Sequence, residues 1–220
     1  MVKLSSLTTS LGGASVFLSA SIPDTARWDG AFNVLEITDA VVAIAREVLQ
    51  RGGRLVTAAH PTIAPLLLYV ASEQRLNSHP TVVVYQSAVF DAVLPESTLR
   101  FEAEGVGSIV RTAAAFGESA DPVEAIQSLD LMRRQMLTEE EPVAAIFVGG
   151  MGGIIKEHAL FREIRDGAPT YALGHPGGAA AGLVEESPPA LRAELANGDV
   201  YPAIARRILD DLANWTNGSA

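Results

Sequence analysis

The chain has 220 residues, 48% of them hydrophobic, and is long enough to bury a sizeable core as one domain. Its formal net charge of −10 argues against nucleic acid as a partner, because non-specific binding to nucleic acid needs a basic face. The absence of cysteine excludes disulfides, thiolate metal sites and cysteine nucleophiles, and four scattered histidines argue against a zinc site. We therefore expect neither a metal nor a resident cofactor.

Two uncharged stretches, Leu4–Pro23 and Leu55–Ser72, need to be distinguished from targeting or membrane segments. The first contains Ser5–Gly13, which is too polar for the core of a signal peptide. The second contains a histidine and two prolines and is better explained as strand, turn and helix. We therefore expect a cytoplasmic protein without a membrane partner.

The first half of the chain alternates predicted strands and helices after a loose lead-in over residues 1–13. Asn33 followed by Glu36 matches a capping box, and Gly52-Gly53 is a typical helix stop. Pro61 suits the first position of a helix. The predicted elements are a strand at Ala14–Leu18, a helix from Asn33 to Arg51, a strand at Arg54–Ala58, a helix from Pro61 to about Glu73 and a strand at Thr81–Tyr85.

In the second half, Ser87–Glu104 is predicted as a loop with a short edge strand around Leu99–Phe101. Asp121-Pro122-Val123-Glu124 has the cap, proline and glutamate that begin helices. The other predicted elements are a strand at Ser108–Thr112, a helix from Asp121 to about Leu137, a strand at Val143–Val148, a helix from about Gly153, a strand at Thr170–Leu173 and a small-residue helix from Ala179. A terminal helix is predicted at Tyr201–Trp215, within residues 200–216, with Trp215 facing inward.

This alternation predicts a single Rossmann-like α/β domain over residues 1–220, with a doubly wound, mainly parallel sheet and helices on both faces. In such sheets ligands bind beyond the carboxyl ends of the strands. Four predicted turns lie at that edge: Ser19-Ala20-Ser21, His60, Gly149–Gly153 and Gly174–Gly178.

The stretch Val143–Phe161 runs from a buried strand through four glycines into a helix. Such a turn presents backbone N–H groups and a positive helix end to one point, which favours an anion, most often a phosphate. The alternative is that these glycines only tighten a strand–helix turn. Glu157 shares an inward helical stripe with Phe161 and Ile164, where a carboxylate is costly without a partner. The other polar residues of this helix are predicted to lie mainly on its remaining faces: Lys156, His158, Arg162, Glu163, Arg165 and Asp166.

Arg133 is the second charge on an inward line, because it falls between Leu129 and Leu137 on the preceding helix. Arg134 lies on the solvent side, where it can pair with Asp130. The alternative is that the aliphatic part of the Arg133 side chain packs against the apolar surface while its guanidinium group reaches water. Arg133 and Glu157 together predict one site.

These motifs resemble the SLOG superfamily over about residues 14–185. The resemblance is carried by Met-Arg-x-x-Met-Leu around Arg133, Gly-Gly-Met-x-Gly-Ile-x-x-Glu from Gly149, Ser19-Ala20-Ser21-Ile22-Pro23, Tyr171-Ala172-Leu173-Gly174 and Gly177-Gly178-Ala179-Ala180. The superfamily includes the LOG phosphoribohydrolases, the Smf/DprA DNA-uptake proteins and ligand-sensing domains attached to TIR or sirtuin effectors in bacterial defence.

The resemblance implies that Arg133 and Glu157 correspond to the LOG residues that act on the ribose-phosphate part of a nucleoside monophosphate. It implies a phosphate-binding turn at Gly149, Gly150, Gly152 and Gly153. LOG enzymes carry Pro-Gly-Gly-x-Gly-Thr-x-x-Glu, whereas this chain has Val148 for the proline and no threonine. In an alignment without gaps, Lys156 stands at the position of the LOG glutamate. A shift of one residue is needed to bring Glu157 to that position. That shift resembles the TIR-linked branch and argues against phosphoribohydrolase activity.

The leading expectation is therefore a sensor of a small nucleotide derivative, such as ADP-ribose or a cyclic ADP-ribose. The alternatives are a nucleoside-monophosphate phosphoribohydrolase, with Arg133 and Glu157 catalytic, and a structural subunit with a vestigial site. A sensor would act on a separate effector protein or belong to a longer chain. The candidate ligand-binding residues are Ser19, Ala20, Ser21, His60, Arg133, Gly149, Gly150, Met151, Gly152, Gly153, Glu157, Gly174, Gly177 and Gly178.

We also expect a homodimer or a higher homo-oligomer. The predicted helix after His60 is apolar nearly all round, more than one face of a sheet needs. The alternative is that this helix is buried beneath Ser87–Glu104 or beneath the terminal helix.

Overall fold

Short runs rich in apolar residues form a parallel sheet, which a computed structural model describes within residues 10–74 and 81–218. Its strands are β1 (Ser15–Ser21), β2 (Arg54–Ala58), β3 (Val82–Ser87), β4 (Ser108–Thr112), β5 (Ala144–Gly149) and β6 (Thr170–Leu173). The helices are α1 (Val34–Gln50), α2 (Ala64–Glu73), α3 (Glu96–Ala103), α4 (Ile126–Glu140), α5 (Gly152–Ile164), α6 (Arg192–Asn197) and α7 (Tyr201–Gly218), with 3-10 helices at Ala88–Val93 and Ala179–Glu186.

The order of the strands across the sheet is β4-β3-β2-β1-β5-β6, and all of the described pairings are parallel. The α/β prediction with a doubly wound, parallel sheet is confirmed. The chain steps outward from β1 to β4, then crosses back to place β5 on the other side of β1. With right-handed crossovers, α1, α2 and α3 cover one face, and α4 and α5 cover the other. The direction of winding therefore reverses between β1 and β5, where ligands bind in folds of this kind.

Helix α1 shows how local sequence sets the core. The Asn33 side chain caps its first turn by accepting from the Leu35 and Glu36 N–H groups. The Glu36 carboxylate does not complete the predicted capping box, because it accepts from the Tyr201 hydroxyl of α7 at 2.5 Å. A buried stripe continues along the helix through Ile37, Val41, Ile44 and Val48, against the sheet and α7.

The predicted loop with an edge strand at Leu99–Phe101 is wrong, because this segment holds a 3-10 helix and then α3. Thr98 and Phe101, three residues apart, are its buried side chains, which is a helical and not a strand spacing. An eight-residue helix shows too few turns for a clear period in the sequence.

Two helices begin later than predicted. Helix α2 starts at Ala64, because the His60 carbonyl accepts from the Ile63 and Ala64 N–H groups and closes a turn there. Helix α4 starts at Ile126, where the Glu118 carboxylate accepts from the Gln127 and Ser128 N–H groups. Asp121 caps only the turn before α4, through its contact with the Val123 N–H. A carboxylate supplied by the preceding loop thus sets the start of α4.

Two side chains lie on unexpected faces. His158 is buried against Phe147, with ring centroids 5.2 Å apart, although the helical pattern places it mainly among the polar faces of α5. Trp215, predicted to face inward, is 37% exposed. For His158 a neighbouring strand, and not the helical period, decides what is covered.

The prediction of a loose lead-in over residues 1–13 is wrong for residues 10–13. Backbone hydrogen bonds attach this segment to the turn between α1 and β2. The Leu11 N–H donates to the Arg51 carbonyl, and the Gly13 N–H donates to the Gly52 carbonyl, both at 2.8 Å. The part of the predicted lead-in over residues 1–9 lies outside the described residues.

Helix α2 packs between α1 and α3, which covers most of its apolar surface. Tyr69 remains 52% exposed on its outer side. The apolar surface of α2 therefore no longer supports the predicted dimer, which stays a prediction. Within the described ranges, the structure has no helix long and apolar enough to cross a membrane.

Candidate functional site

The ends of β1 and β5 meet at two glycines that no other residue could replace without strain. Gly149 and Gly150 have φ of +66° and +70°. A Cβ on Gly149 would approach the Ser21 carbonyl oxygen to 2.7 Å, and one on Gly150 would approach Ile154 Cγ1 to 2.2 Å. The Gly150 N–H donates to the Ser21 carbonyl at 2.7 Å, which locks the two strand ends together.

Helix α5 begins immediately beyond this turn and leaves donors free. Among the described residues, no acceptor is bonded to the N–H groups of Met151, Gly152 or Gly153, and no side chain caps the helix. Gly152 and Gly153 are exposed, and a Cβ at Gly152 would meet no atom within 4 Å. Three free N–H groups at the positive end of a 13-residue helix form an open anion cradle.

The two inward charges predicted from the helical stripes meet beside this cradle. Arg133 Nε of α4 lies 2.8 Å from Glu157 Oε1 of α5, with the two side chains 13% and 10% exposed. The Ser19 hydroxyl of β1 donates to the other carboxylate oxygen, Oε2, at 2.5 Å. The carboxylate is therefore held from both sides by residues of two other elements.

Arg133 also reaches the cradle. Its Nη2 lies 3.5 Å from the position that a Cβ on Gly153 would occupy. Because Glu157 takes the Nε–H, the terminal N–H groups of the guanidinium remain beside the first turn of α5. This arrangement supplies a positive group and free backbone N–H donors on one side, and a fixed carboxylate acceptor on the other.

His60, two residues beyond β2, is close enough to this cluster to be affected by the Glu157 charge. Burial lowers the pKa of His60, and the negative charge of Glu157 partly opposes that shift. Its Nδ1 lies 2.9 Å from the Thr62 hydroxyl. The imidazole is therefore favoured in its neutral form near the carboxylate.

The second glycine-rich turn, Gly174–Gly178, supports the first. A Cβ on Gly178 would lie 2.5 Å from the Gly149 carbonyl carbon, and the Ala179 N–H donates to the Gly150 carbonyl at 2.8 Å. The N–H groups of its three glycines are occupied by the carbonyls of Leu195, Gly174 and Ala31. This turn packs against the cradle and offers no free glycine N–H of its own.

The remaining predicted residues differ in position. Ser21 Oγ would lie 3.0 Å from a Cβ on Gly150, so it borders the turn. Ala20 is buried between Ser19 and Ser21 and faces the opposite side of the sheet. Lys156 is exposed.

Sequence reasoning missed the residues that hold the two turns in place. Ile37 of α1 would be 2.6 Å from a Cβ on Gly149, and Ile154 folds over Gly150. Phe32 bridges to Gly177, and the Asn33 N–H donates to the Pro176 carbonyl. Except for the contact between Ile154 and Gly150, these contacts join residues more than a hundred positions apart, and no local pattern signals them.

Two other features of the described chain carry no comparable chemistry. A surface groove of about 360 Å³ lies on the outer side of α4, between Leu131, Arg134 and Thr138, away from the cradle. Within the described residues, no group of three or more histidine, aspartate or glutamate side chains could hold a metal ion.

Comparison with solved structures supports the fold. The chain resembles the X-ray structure of TM1055, a Northeast Structural Genomics Consortium target, with a TM-score of 0.52 and 15% identity over 78% of this chain and 81% of that chain. A search of curated proteins finds no match. The model of the SLOG cluster3 family matches residues 27–209, which include the α5 cradle, Arg133 and Glu157. The chain therefore belongs to the SLOG cluster3 family.

Proposed function

We propose that this protein binds a small nucleotide derivative, with a phosphate at the start of α5 and a ribose against Glu157. The observation that carries the proposal is the juxtaposition of three free N–H groups, the Arg133 guanidinium and a fixed carboxylate. A phosphate accepts from the first two groups, and ribose hydroxyls donate to the third. Membership of the SLOG family supports a nucleotide-related role.

The charge balance favours a ligand whose anionic part is small. The whole chain carries −10, and Glu157 already neutralises much of Arg133. The positive end of α5 is therefore the main attraction for an anion. ADP-ribose and cyclic ADP-ribose have phosphates and free ribose hydroxyls that fit this pairing of donors and acceptor.

The state of Glu157 favours sensing over hydrolysis. Both of its oxygens are engaged, one by Arg133 and one by Ser19, so a role as base would require one of these contacts to break. Among the described residues, no second carboxylate is bonded to this cluster, whereas glycosidic cleavage commonly uses two. A sensor of this kind would signal to an effector protein, as TIR-linked relatives do in bacterial defence, and would act in the cytoplasm.

The resemblance to LOG enzymes makes hydrolysis the second candidate, because it assigns Arg133 and, after a shift of one residue, Glu157 to their functional residues. In that case Arg133 would hold the phosphate, and Glu157 would stabilise the positive charge that develops on the ribose. Incubation with AMP followed by chromatography for free adenine distinguishes the two. If adenine is released and the release depends on Glu157, the proposal of a sensor is replaced by that of a hydrolase.

The test of binding is a thermal-shift and calorimetric series with ADP-ribose, cyclic ADP-ribose and AMP. A ligand at a hundredfold excess over its Kd should stabilise the protein by about 2.7 kcal/mol. The informative variant is Arg133→Met with Glu157→Leu, which removes both charges and leaves no buried charge unpaired. It should fold and lose binding.

The matched control is Arg134→Ala, one residue away. Arg134 pairs with Asp130 and Glu163 at the surface, with its side chain 45% exposed. Its loss should change ligand affinity by less than about threefold. If the double variant binds as tightly as Arg134→Ala, the ligand site lies elsewhere.

A further inference from the structure

The turn between β2 and α2 offers a hydrogen-bond donor that the described part of the chain does not use. The Thr62 N–H donates to His60 Nδ1 at 3.4 Å, and the Thr62 hydroxyl lies 2.9 Å from the same nitrogen. Because a backbone N–H can only donate, Nδ1 is the acceptor of the ring, and the proton of the neutral imidazole lies on Nε2. Among the described residues, no acceptor is bonded to this Nε2–H, and His60 is partly exposed.

The backbone of the same turn offers no further donor. The N–H groups of Ala59 and His60 donate to backbone carbonyls at 2.9 and 2.8 Å. The Thr62 N–H is bonded to the imidazole, and Pro61 has no N–H. Burial lowers the pKa of His60, so its ring is uncharged at neutral pH. This turn therefore lacks the free N–H groups that favour a phosphate at α5, and it suits an uncharged acceptor instead.

The register places His60 beside the cluster that holds Glu157. Phe17 of β1 is the register partner of Val56 in β2. Two residues further along each strand, Ser19 and Ala58 return to the same face of the sheet, and His60 follows two residues after Ala58. The end of β2 lies two strand spacings, about 10 Å, from the end of β5 where the cradle begins. An extended nucleoside monophosphate has about this length from its phosphorus to its base.

Open surface connects the cradle to His60, whereas the opposite side of the cradle is closed. A Cβ on Gly178 would lie 2.5 Å from the Gly149 carbonyl carbon, so the second turn packs against the β6 side. On the other side, Ser21 and Ile22 after β1 and residues 58–60 after β2 are partly exposed. A ligand whose phosphate binds at the exposed start of α5 can therefore extend across β1 towards β2.

We propose that His60 donates from Nε2 to an acceptor atom of the ligand's nucleobase, which makes the end of β2 the base subsite. This inference rests on the proposed function, because the base belongs to the ligand whose phosphate binds at α5. The three parts of the ligand then follow the order of the strands: phosphate at the end of β5, ribose at Glu157 beside β1, and base at the end of β2.

The experiment measures, by calorimetry, the affinities for AMP and for ribose 5-phosphate, which lacks the base. His60→Phe keeps an aromatic ring and removes the donor, so it should weaken AMP binding by about fivefold to tenfold and leave ribose 5-phosphate unchanged. In His60→Gln the side-chain amide supplies an N–H near the position of Nε2, so this variant should recover most of the AMP affinity. Thr62 is exposed, so its N–H can donate to water in both variants, and both should fold.

The matched control is His175→Phe. His175 is an exposed histidine in the second turn, at the same edge of the sheet but on the β6 side of the cradle. The same chemical change at this position should leave both affinities unchanged. If His175→Phe weakens AMP binding and His60→Phe does not, the base lies on the β6 side, and the subsite at β2 is overturned.

The tautomer provides a second, independent measurement. In ¹⁵N spectra of the histidine rings, free His60 should carry its proton on Nε2, and this signal should shift when AMP binds but not when ribose 5-phosphate binds. A purely structural role of His60 predicts no such difference between the two probes. A proton on Nδ1 in the free protein would overturn the assignment of the donor.

The outcomes separate this inference from the proposed function. The base subsite alone is overturned if the wild type binds AMP no more tightly than ribose 5-phosphate, if His60→Phe weakens both probes equally or neither, or if His60→Gln is as weak as His60→Phe. A wild-type protein that binds neither probe overturns the proposed function and the subsite with it.

Discussion

The two glycine-rich turns have similar sequences and opposite roles in the structure. Gly149-Gly150 and Gly177-Gly178 both have positive φ, and both lie at the carboxyl edge of the sheet. After the first pair, the N–H groups of Met151, Gly152 and Gly153 are free, and a 13-residue helix points its positive end outward. In the second turn, the N–H groups of Gly178 and Ala179 donate to the carbonyls of Ala31 and Gly150.

The difference teaches that glycine content alone does not identify an anion site. Positive φ and close packing explain why glycine is needed in both turns. What distinguishes a binding turn is the number of backbone donors left without an acceptor, since each free donor is available to a ligand. Substitutions in the two turns should therefore separate effects on stability from effects on binding.

The largest expected effect is the loss of stability in Gly178→Val. The new Cβ would lie 2.5 Å from the Gly149 carbonyl carbon, at a φ of +72° that valine rarely adopts. We expect the free energy of unfolding to fall by more than about 3 kcal/mol, measured by urea denaturation. The control is Gly182→Val, where a Cβ meets nothing within 4 Å, and which should change it by less than about 1 kcal/mol. Equal midpoints for the two variants would contradict the packing role of the second turn.

The next effect should appear in binding without loss of stability. In Gly152→Asp the new carboxylate occupies open space at the first turn of α5, where it interacts favourably with the helix dipole. We expect stability to rise by about 0.5 kcal/mol. Affinity for phosphate-bearing ligands should fall by at least about a hundredfold, because a like charge sits in the cradle.

The charge-matched control for this substitution is Gly182→Asp, in the 3-10 helix after the second turn. Calorimetry should show that this variant binds ADP-ribose or AMP as the wild type does. Retained binding by Gly152→Asp would exclude the start of α5 as the phosphate site.

The smallest effect concerns pH and the buried His158 of α5. Burial lowers the pKa of His158, the Glu186 charge partly opposes the shift, and Arg162 adds to it. The unfolded chain takes up a proton near pH 6.5, before the folded one, so stability falls as the pH drops below that value. His158→Leu should reduce this loss between pH 7.5 and 5.5, by at most about 1.4 kcal/mol per pH unit, in urea titrations at both pH values. An unchanged pH dependence would show that His158 is not the titrating group, and His60, which shifts in the same direction, would then be tested by His60→Gln.

Some of the site could be predicted from helical spacing. Arg133 and Glu157 fall on inward stripes of two different helices, and the structure places them 2.8 Å apart. The hydrophobic pattern likewise predicts β2, β4 and β6 with their observed bounds. Both successes depend on periodicity, which is a property of neighbouring residues.

Other features could not be predicted because they depend on distant parts of the chain. The start of α4 depends on Glu118 in the preceding loop, and the burial of His158 depends on Phe147 in the neighbouring strand. Ser87 and Thr112 have buried hydroxyls that make no hydrogen bond to the described residues, and their position side by side becomes visible only when the register of β3 and β4 is known. In the sequence both residues are ordinary strand ends.

The amino-acid pattern alone is enough for the α/β class, the parallel sheet and the inward position of two charges, because alternation, run length and helical period are local quantities. The tertiary structure alone decides which glycine turn keeps its N–H groups free, because that depends on whether Ala31 and Gly150 supply acceptors from elsewhere in the chain. It also decides that Ser19 holds the second oxygen of Glu157 across 138 positions of sequence. A hydrogen bond is satisfied by whatever lies within about 3 Å, and folding, not sequence distance, sets that neighbourhood.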